Sequence, residues 1–222
     1  MNTRVSIYGN IRRALGVSGR EAPRRAAVEE RLAHCPRGVI PARGQLDAAG
    51  RLALFKAQAE AVAASVTGLA AATAVPEEVA RILRAQKLPA TLRLSTDPRL
   101  AAMPFAATGL TIATGPAEAG DVNALSHAFA GVAETGTLVM TSGPDNPTTL
   151  NFLPDTHFVV IRADDIVSDY ETVWQRLRAA YGKGQMPRTV NFITGPSRSA
   201  DIEQELILGA HGPRRLHIIV VG

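Results

Sequence analysis

The chain of 222 residues has a single cysteine, Cys35, so no disulfide can close within it and no cysteine-only metal or iron–sulfur site can be built from it alone. Lysine is almost as scarce: Lys56, Lys87 and Lys183 are the only ones, and arginine supplies nearly all the positive charge behind the formal +4. Aromatic residues amount to 5%, and the early basic stretch (Arg12, Arg13, Arg20, Arg24, Arg25, Arg31, Arg37 and Arg43) is accompanied only by Tyr8. A surface for nucleic acid would interleave cations with aromatics or carry a reader motif, and neither is present, so no nucleic acid is expected as partner. Solvated helix faces or an acidic partner protein account for the arginines better. No run approaches the roughly 18–20 apolar residues of a membrane helix. The opening Met1-Asn-Thr-Arg-Val-Ser has no apolar leader core, so cytoplasmic residence without a membrane span is expected.

Several motifs of chemistry are also missing: G-x-G-x-x-G, the P-loop, H-E-x-x-H, C-x-x-C and G-x-S-x-G. Gly182-Lys-Gly184 lacks a third glycine and follows a helical pattern, which makes it a helix stop. Dinucleotide-dependent oxidation by this chain is therefore not expected, and neither a cofactor nor a metal is assigned to it. His34, His127 and His217 show no metal-ligand spacing, and Cys35 on a helix stripe is a packing residue.

What is present suits a folded domain, since 46% of residues are hydrophobic and 20% charged, enough apolar surface for a core. Ile7, Ile11 and Leu15, then Val28, Leu32 and Cys35, then Leu52, Phe55, Ala59, Val62 and Val66 mark three helical stripes. Residues 1–70 are thus expected to form a helical arm, followed by an α/β core over 71–222 within one domain. Pro76 with the two glutamates after it opens a further helix. Beyond it, apolar or β-branched runs recur at 91–94, 110–114, 137–141, 158–161, 189–193 and 216–221. They do not alternate, as befits strands covered on both faces, and segments of crossover length separate several of them, 164–181 and 199–208 most clearly. The expectation is an α/β fold with a mainly parallel sheet and helices on both faces.

The densest local signal is Ile193-Thr-Gly-Pro-Ser-Arg-Ser-Ala-Asp-Ile-Glu203 with Gly209-Ala-His-Gly-Pro213 behind it. It reads as strand, glycine turn, helix capped by Ser197 or Ser199 with Asp201 and Glu203 in the first turn, glycine stop, strand. A helix start at a strand's carboxyl end presents free N–H groups to an anion, and Arg198 could add charge-assisted bonds. Thr194, Gly195, Ser197, Arg198 and Ser199 are accordingly candidates for binding a small anion. Capping alone is the competing account, and Asp201 already satisfies the helix dipole. A second turn, Glu134-Thr-Gly-Thr137, adds Thr135 and Gly136 as candidate ligand contacts and Glu134 as a candidate base or nucleophile, against a plain reading as a turn. His211, past the expected helix end, is a further catalytic candidate provided it meets Glu134 or Ser197. If the sheet is parallel, Thr194 follows its strand while Glu134 precedes one, so their meeting requires a bent path or an antiparallel member.

These turns, together with Ala133-Glu-Thr-Gly-Thr-Leu-Val139 and Asn151-Phe-Leu-Pro-Asp-Thr-His157, closely resemble the lactate-utilisation protein C family, within the group sharing the LUD domain. The resemblance is densest over 109–222 and weak over the first seventy residues. It implies a three-layer Rossmann-like sheet of the class shared with sugar-phosphate isomerases and CoA transferases. The latter use a glutamate nucleophile near a glycine, which bears on Glu134 by analogy of fold alone. Family members often carry an arginine in the loop 142–157 and a serine before its leucine–proline pair. Thr148, Thr149 and Asn151 stand there instead, which puts an arginine clamp in that loop in doubt. The resemblance further implies a component of an L-lactate utilisation system, converting lactate to pyruvate, with iron–sulfur proteins as partners. The alternative is a stand-alone small-molecule enzyme or binding protein for a carboxylate, CoA ester or phosphorylated ligand.

Overall fold

The structure, a computed structural model, describes residues 3–199 and 207–222. It divides into two compact units, Met1–Ile40 and Pro41–Gly222. The first holds α1 (Thr3–Ala14) and α2 (Ala22–His34), neither of which buries a residue. The second contains the sheets.

Its first helix, α3 (Ala48–Ala61), is capped by Asp47, whose carboxylate accepts from the Gly50 N–H at 2.7 Å. Phe55 and Ala59 are its buried face. The stripe expected to continue to Val66 stops at Val62, because Ala63 takes a positive φ of 69° and turns the chain into β1 (Ser65–Leu69). In α4 (Val75–Ala85), Pro76 sits in the first turn with Glu77 and Glu78, and Val75, Val79, Ile82 and Leu83 face inward. Strands β2 (Thr91–Leu94), β3 (Thr111–Thr114), β4 (Asn123–His127), β7 (Thr156–Arg162) and β12 (Arg215–Val221) join β1 in a six-stranded sheet, in the order β1-β12-β7-β4-β2-β3. Every pairing in it is parallel. The short α5 (Pro98–Ala101) follows β2.

Alternation along the central strands explains their apolar runs. Phe158 and Val160 of β7 pack with Val79 and Leu83 of α4, while Val159 and Ile161 pack with Phe55 and Ala59 of α3 on the opposite face. Each fully buried side chain of this kind contributes roughly 1.5–3 kcal/mol. The expected α/β class with a mainly parallel, Rossmann-like sheet is thus observed.

Two of the expected strands lie elsewhere. The runs at 137–141 and 189–193 become β6 (Thr137–Thr141) and β9 (Val190–Ile193) of a small second sheet, with β5 (Ala130–Val132) and β8 (Ile166–Val167). There β6 runs antiparallel to both β5 and β9. One face of this sheet, with Leu138 and Met140, joins α3 against the main sheet; the other is covered by Val173 and Leu177 of α6 (Tyr170–Tyr181). Burial on both sides makes its strands look like main-sheet strands in sequence.

Of the helix expected over 199–208, residues 200–206 lie outside the described residues, and both ends differ from the expectation. Arg198 and Ser199 form β10, paired antiparallel with β11 (Ile207–Leu208). The Ser197 N–H donates to Pro213 O at 2.8 Å and its carbonyl accepts from Gly209 N at 2.9 Å, so the Ser197 backbone is held in a ribbon. Asp201 and Glu203, expected in the first helical turn, lie outside the described residues.

Two glycines seat the small sheet on the last turn of α3. A Cβ on Gly136 (φ +65°) would stand 2.2 Å from Ala59 N, and one on Gly195 (φ +78°) 2.4 Å from Val62 O. Gly136→Val should therefore cost roughly 2–4 kcal/mol through backbone strain and overpacking. Gly143→Ala, with open space around it, should stay within about 0.5 kcal/mol of the parent. Urea unfolding of both variants checks this; equal stabilities would mean that the small sheet can lift off α3 without loss.

Candidate functional site

An all-parallel sheet has one edge where every strand ends and one where every strand begins, and each edge here carries a hollow. At the carboxyl edge, a hollow of about 520 Å³ is lined by residues 70–72 after β1, Arg99 and Met103 after β2, His127 ending β4, and Arg162 ending β7. A neighbouring hollow of about 350 Å³ shares Arg99 and His127 and adds Asp97 and the loop 142–146. Strand ends of parallel sheets are where ligands bind in folds of this kind, because loops there can vary without disturbing the core.

His127 is 4% exposed, and its Nδ1–H donates to Ala128 O at 2.8 Å. That bond leaves the Nε2 lone pair outward, and Nε2 has no hydrogen-bond partner among the described residues. Burial, reinforced by the Arg99 charge, holds His127 below its usual range, so it is a neutral acceptor at pH 7. Arg99 is oriented by Asp97, which accepts from Nε at 2.9 Å and from Nη2 at 2.6 Å. Burial raises the Asp97 carboxyl, but the hydrogen bonds and charge of Arg99 outweigh it and keep the group ionised. The Nη1 donors of Arg99 are not engaged by Asp97, and the guanidinium is half exposed. Arg162 pairs with Asp164 at 3.3 Å, in an exposed contact that a ligand anion displaces at little cost. Two guanidiniums and an open imidazole acceptor can together hold a carboxylate and a hydroxyl. Sequence spacing did not single out these residues, which come from the ends of separate strands; recognising 123–127 as a strand was the signal available.

The amino edge carries the expected turn. A hollow of about 260 Å³ is lined by Asn151, Phe152, His157, Thr194, Gly195, Pro196, Ser197, Arg198 and His211, among others. Thr194, Gly195, Ser197, Arg198 and His211 are therefore brought together. Ser199 does not line the hollow, which opens where the main-sheet strands β7 and β12 begin, not at their carboxyl ends. A Cβ on Gly195 would stand 2.4 Å from Val62 O, so packing against the end of α3 already requires a glycine there. Ser197 Oγ accepts from the His211 N–H at 3.3 Å.

The Glu134 turn meets this region through the antiparallel pairing of β6 and β9, which places Leu138 opposite Ile193. Thr137 Oγ1 lies 2.7 Å from Thr194 Oγ1 and 2.7 Å from Thr135 Oγ1, and the Tyr170 hydroxyl completes the chain. Thr135 and Gly136 nonetheless face Tyr170 and α3 rather than the hollow. Glu134 is 4% exposed, its Oε2 is without a hydrogen-bond partner among the described residues, and it shares no hollow with His211. Among the described residues no three His, Cys, Asp or Glu side chains are grouped as a metal would need, and no helix is long and apolar enough to cross a membrane.

Two buried histidines give the fold a pH dependence. His157 is fully buried, with Nε2 2.6 Å from Ser126 Oγ, and burial pushes it from 6.5 down to about 3. His217 is stacked on Phe158 and bonded to Ser65 and Gln86; burial, then the Arg215 charge, brings it to about 4. Both depressions mean that the unfolded chain takes up protons the folded one refuses. Stability is therefore complete above pH 6.5 and falls as pH drops toward the folded values. Between pH 7 and 5 each histidine should remove roughly 2 kcal/mol. Urea unfolding at the two pH values tests the total, and His217→Gln should flatten the fall by about half. A pH-independent stability over that window contradicts the assignment.

A family model described as LUD domain matches residues 117–221, which take in β4 to β12. Lactate utilization protein C of Geobacillus sp. (strain WCH70) is 42% identical over 91 residues, covering 40% of this chain and 38% of that protein. The protein of the same name from Geobacillus thermodenitrificans (strain NG80-2) is 38% identical over 91 residues, with the same two coverages. The chain thus matches about two fifths of the length of these relatives. A crystal structure of a DUF162 family protein from Deinococcus radiodurans superposes with a TM-score of 0.60 at 24% identity, over 80% of this chain and 99% of that one, a likeness of fold. Residues 117–221 of this chain, which carry strands β4 to β12 and the motif-bearing turns, thus match the LUD domain.

Proposed function

We propose that this chain serves lactate utilisation as the component that binds the small hydroxy acid, in a system oxidising L-lactate to pyruvate whose electrons leave through separate iron–sulfur proteins. The names of the relatives support the role. The observation that carries the site is the open His127 Nε2 beside Arg99 and Arg162 at the carboxyl edge. A 2-hydroxy acid presents a carboxylate, which suits the unengaged donors of Arg99 with Arg162 behind them, and a hydroxyl donor, which suits the imidazole lone pair. A 2-oxo acid offers an acceptor instead of that donor and meets the lone pair unfavourably, so the reduced acid binds better than the oxidised one. A single cysteine cannot ligate an all-cysteine iron–sulfur cluster, which supports placing electron storage in partner proteins.

One observation favours a second reading. The carboxyl-edge hollow, about 520 Å³ with a 350 Å³ neighbour, is far larger than a three-carbon acid needs. A stand-alone enzyme or binding protein for a CoA ester or phosphorylated ligand would fill it.

Isothermal titration of the purified chain with L-lactate and with pyruvate separates these readings. L-Lactate should bind more tightly than pyruvate, and Arg99→Ala should weaken it by about 10–100-fold, the value of a charge-assisted bond of roughly 1.5–3 kcal/mol. Indifference to Arg99→Ala, or a preference for pyruvate, sinks the site. The partner half is tested by co-purification from lactate-grown cells, where recovery without any cysteine-rich redox protein would turn the reading to a stand-alone enzyme.

A further inference from the structure

The amino-edge hollow lies at the opposite edge of the main sheet from the carboxyl-edge site and on its other face, the face shared with α3 and the small sheet. Its inner wall holds two side chains buried beyond nine-tenths, Asn151 and His157, which are 3% and 0% exposed. Each keeps one buried polar atom, Asn151 Oδ1 and His157 Nδ1, without a hydrogen-bond partner among the described residues. Buried polar atoms are nearly always paired, and a pair of orphans in the wall of one hollow calls for an explanation from what the hollow holds. Asn151 Oδ1 is an acceptor and needs a donor. His157 cannot supply it, because the two are not in hydrogen-bond contact.

Among the described residues the rim carries a positive charge, that of Arg198. The Arg198 guanidinium is exposed and pairs with no carboxylate among the described residues, and the exposed His211 side chain hydrogen-bonds to none of them either. Phe152, 43% exposed, gives the opening an apolar side. The wall between floor and rim is stiff: Gly195 is fixed against Val62, Pro196 is buried, and Thr194 is tied to Thr137. The hollow therefore has a fixed depth, with a cationic mouth and an acceptor at its base.

We propose that this hollow is a second ligand site, which takes an organic anion bearing a hydroxyl. The anionic head sits at Arg198 and His211, and the hydroxyl donates toward Asn151, with His157 able to share it through Nδ1. A carboxylate or a phosphate head satisfies the mouth equally well. The site is independent of the carboxyl-edge site, and of the role in lactate utilisation proposed for it.

Two-dimensional amide NMR of the full chain, titrated with glycerate and with glycerol 3-phosphate, tests this and tells the two heads apart. At least one probe should move the backbone signals of Ser197 and Gly212 and the side-chain amide of Asn151. Arg198→Glu, on an exposed residue that leaves the fold intact, should weaken that probe at least tenfold. Asn151→Leu should weaken it as well while keeping the rim. Arg99→Ala should leave the amino-edge shifts unchanged even if it abolishes binding at the other edge. Shifts that gather at His127 and Arg162, binding unaffected by Arg198→Glu, or no shift from either probe at its solubility limit would each overturn the proposal.

Discussion

The seating of the small sheet on the last turn of α3 is the contact on which the remaining architecture depends. Gly136 and Gly195 belong to different strand ends, yet both press on the same helical turn, at Ala59 and Val62. With no side chain at either position, β6 and β9 can lie side by side over the helix end, and the hydroxyls of Thr137 and Thr194 meet between them. That placement lets Leu138 and Met140 close the core over Val159, Ile161, Ile218 and Val220 of the main sheet. A bulkier residue at either glycine would lift the small sheet, open that core and remove one wall of the amino-edge hollow together.

This contact also answers a topological difficulty. In a purely parallel sheet the Thr194 turn would follow one strand and the Glu134 turn would precede another, which places them at opposite edges. The antiparallel pairing of β6 with β9 brings the two turns to the same end. Their proximity serves structure, however, through the chain of hydroxyls from Thr135 to Thr194, and Glu134 stays buried beside Gly44 and Ser168 instead of reaching the hollow.

The strands were legible where burial on both faces leaves an unbroken apolar run, as at 158–161 and 216–221, but the run does not say which sheet it joins. Thr137 to Thr141 is as apolar as β7 because α6 covers its outer face. Strand β4 was not legible, since Asn123, Ser126 and His127 look like loop residues. Asn123 and Ser126 are buried because partners from distant segments satisfy them, the Pro89 and Thr91 carbonyls for Asn123 and His157 for Ser126, while His127 is satisfied by the carbonyl of its neighbour Ala128. The strand character of 198–199 and 207–208, at the ends of the segment expected as a helix, went unread for a related reason. Ser-Arg-Ser is compatible with a cap or with a ribbon, and the backbone bonds of Ser197 to Gly209 and Pro213 decide for the ribbon. Of the candidate site, the sequence reading located the amino-edge wall but not the carboxyl-edge cluster, whose members are joined only by the order of strands in the sheet.

That cluster has a common logic in how its polar groups are held. The Ala128 carbonyl engages one nitrogen of His127, and the Asp97 carboxylate engages one side of the Arg99 guanidinium. Each support also sets the electronic state of what it holds. The carbonyl bond fixes the imidazole tautomer, while Asp97 offsets the Arg99 charge that would otherwise weigh more heavily on His127. The unclaimed sides, an acceptor on one group and donors on the other, are then presented without any reorganisation when a ligand arrives, which is where preorganised sites gain affinity. A histidine or arginine free to turn would first have to be ordered by the ligand itself. Supports drawn from a strand end and a helix cap are rigid parts of the fold, so the arrangement does not depend on loop closure.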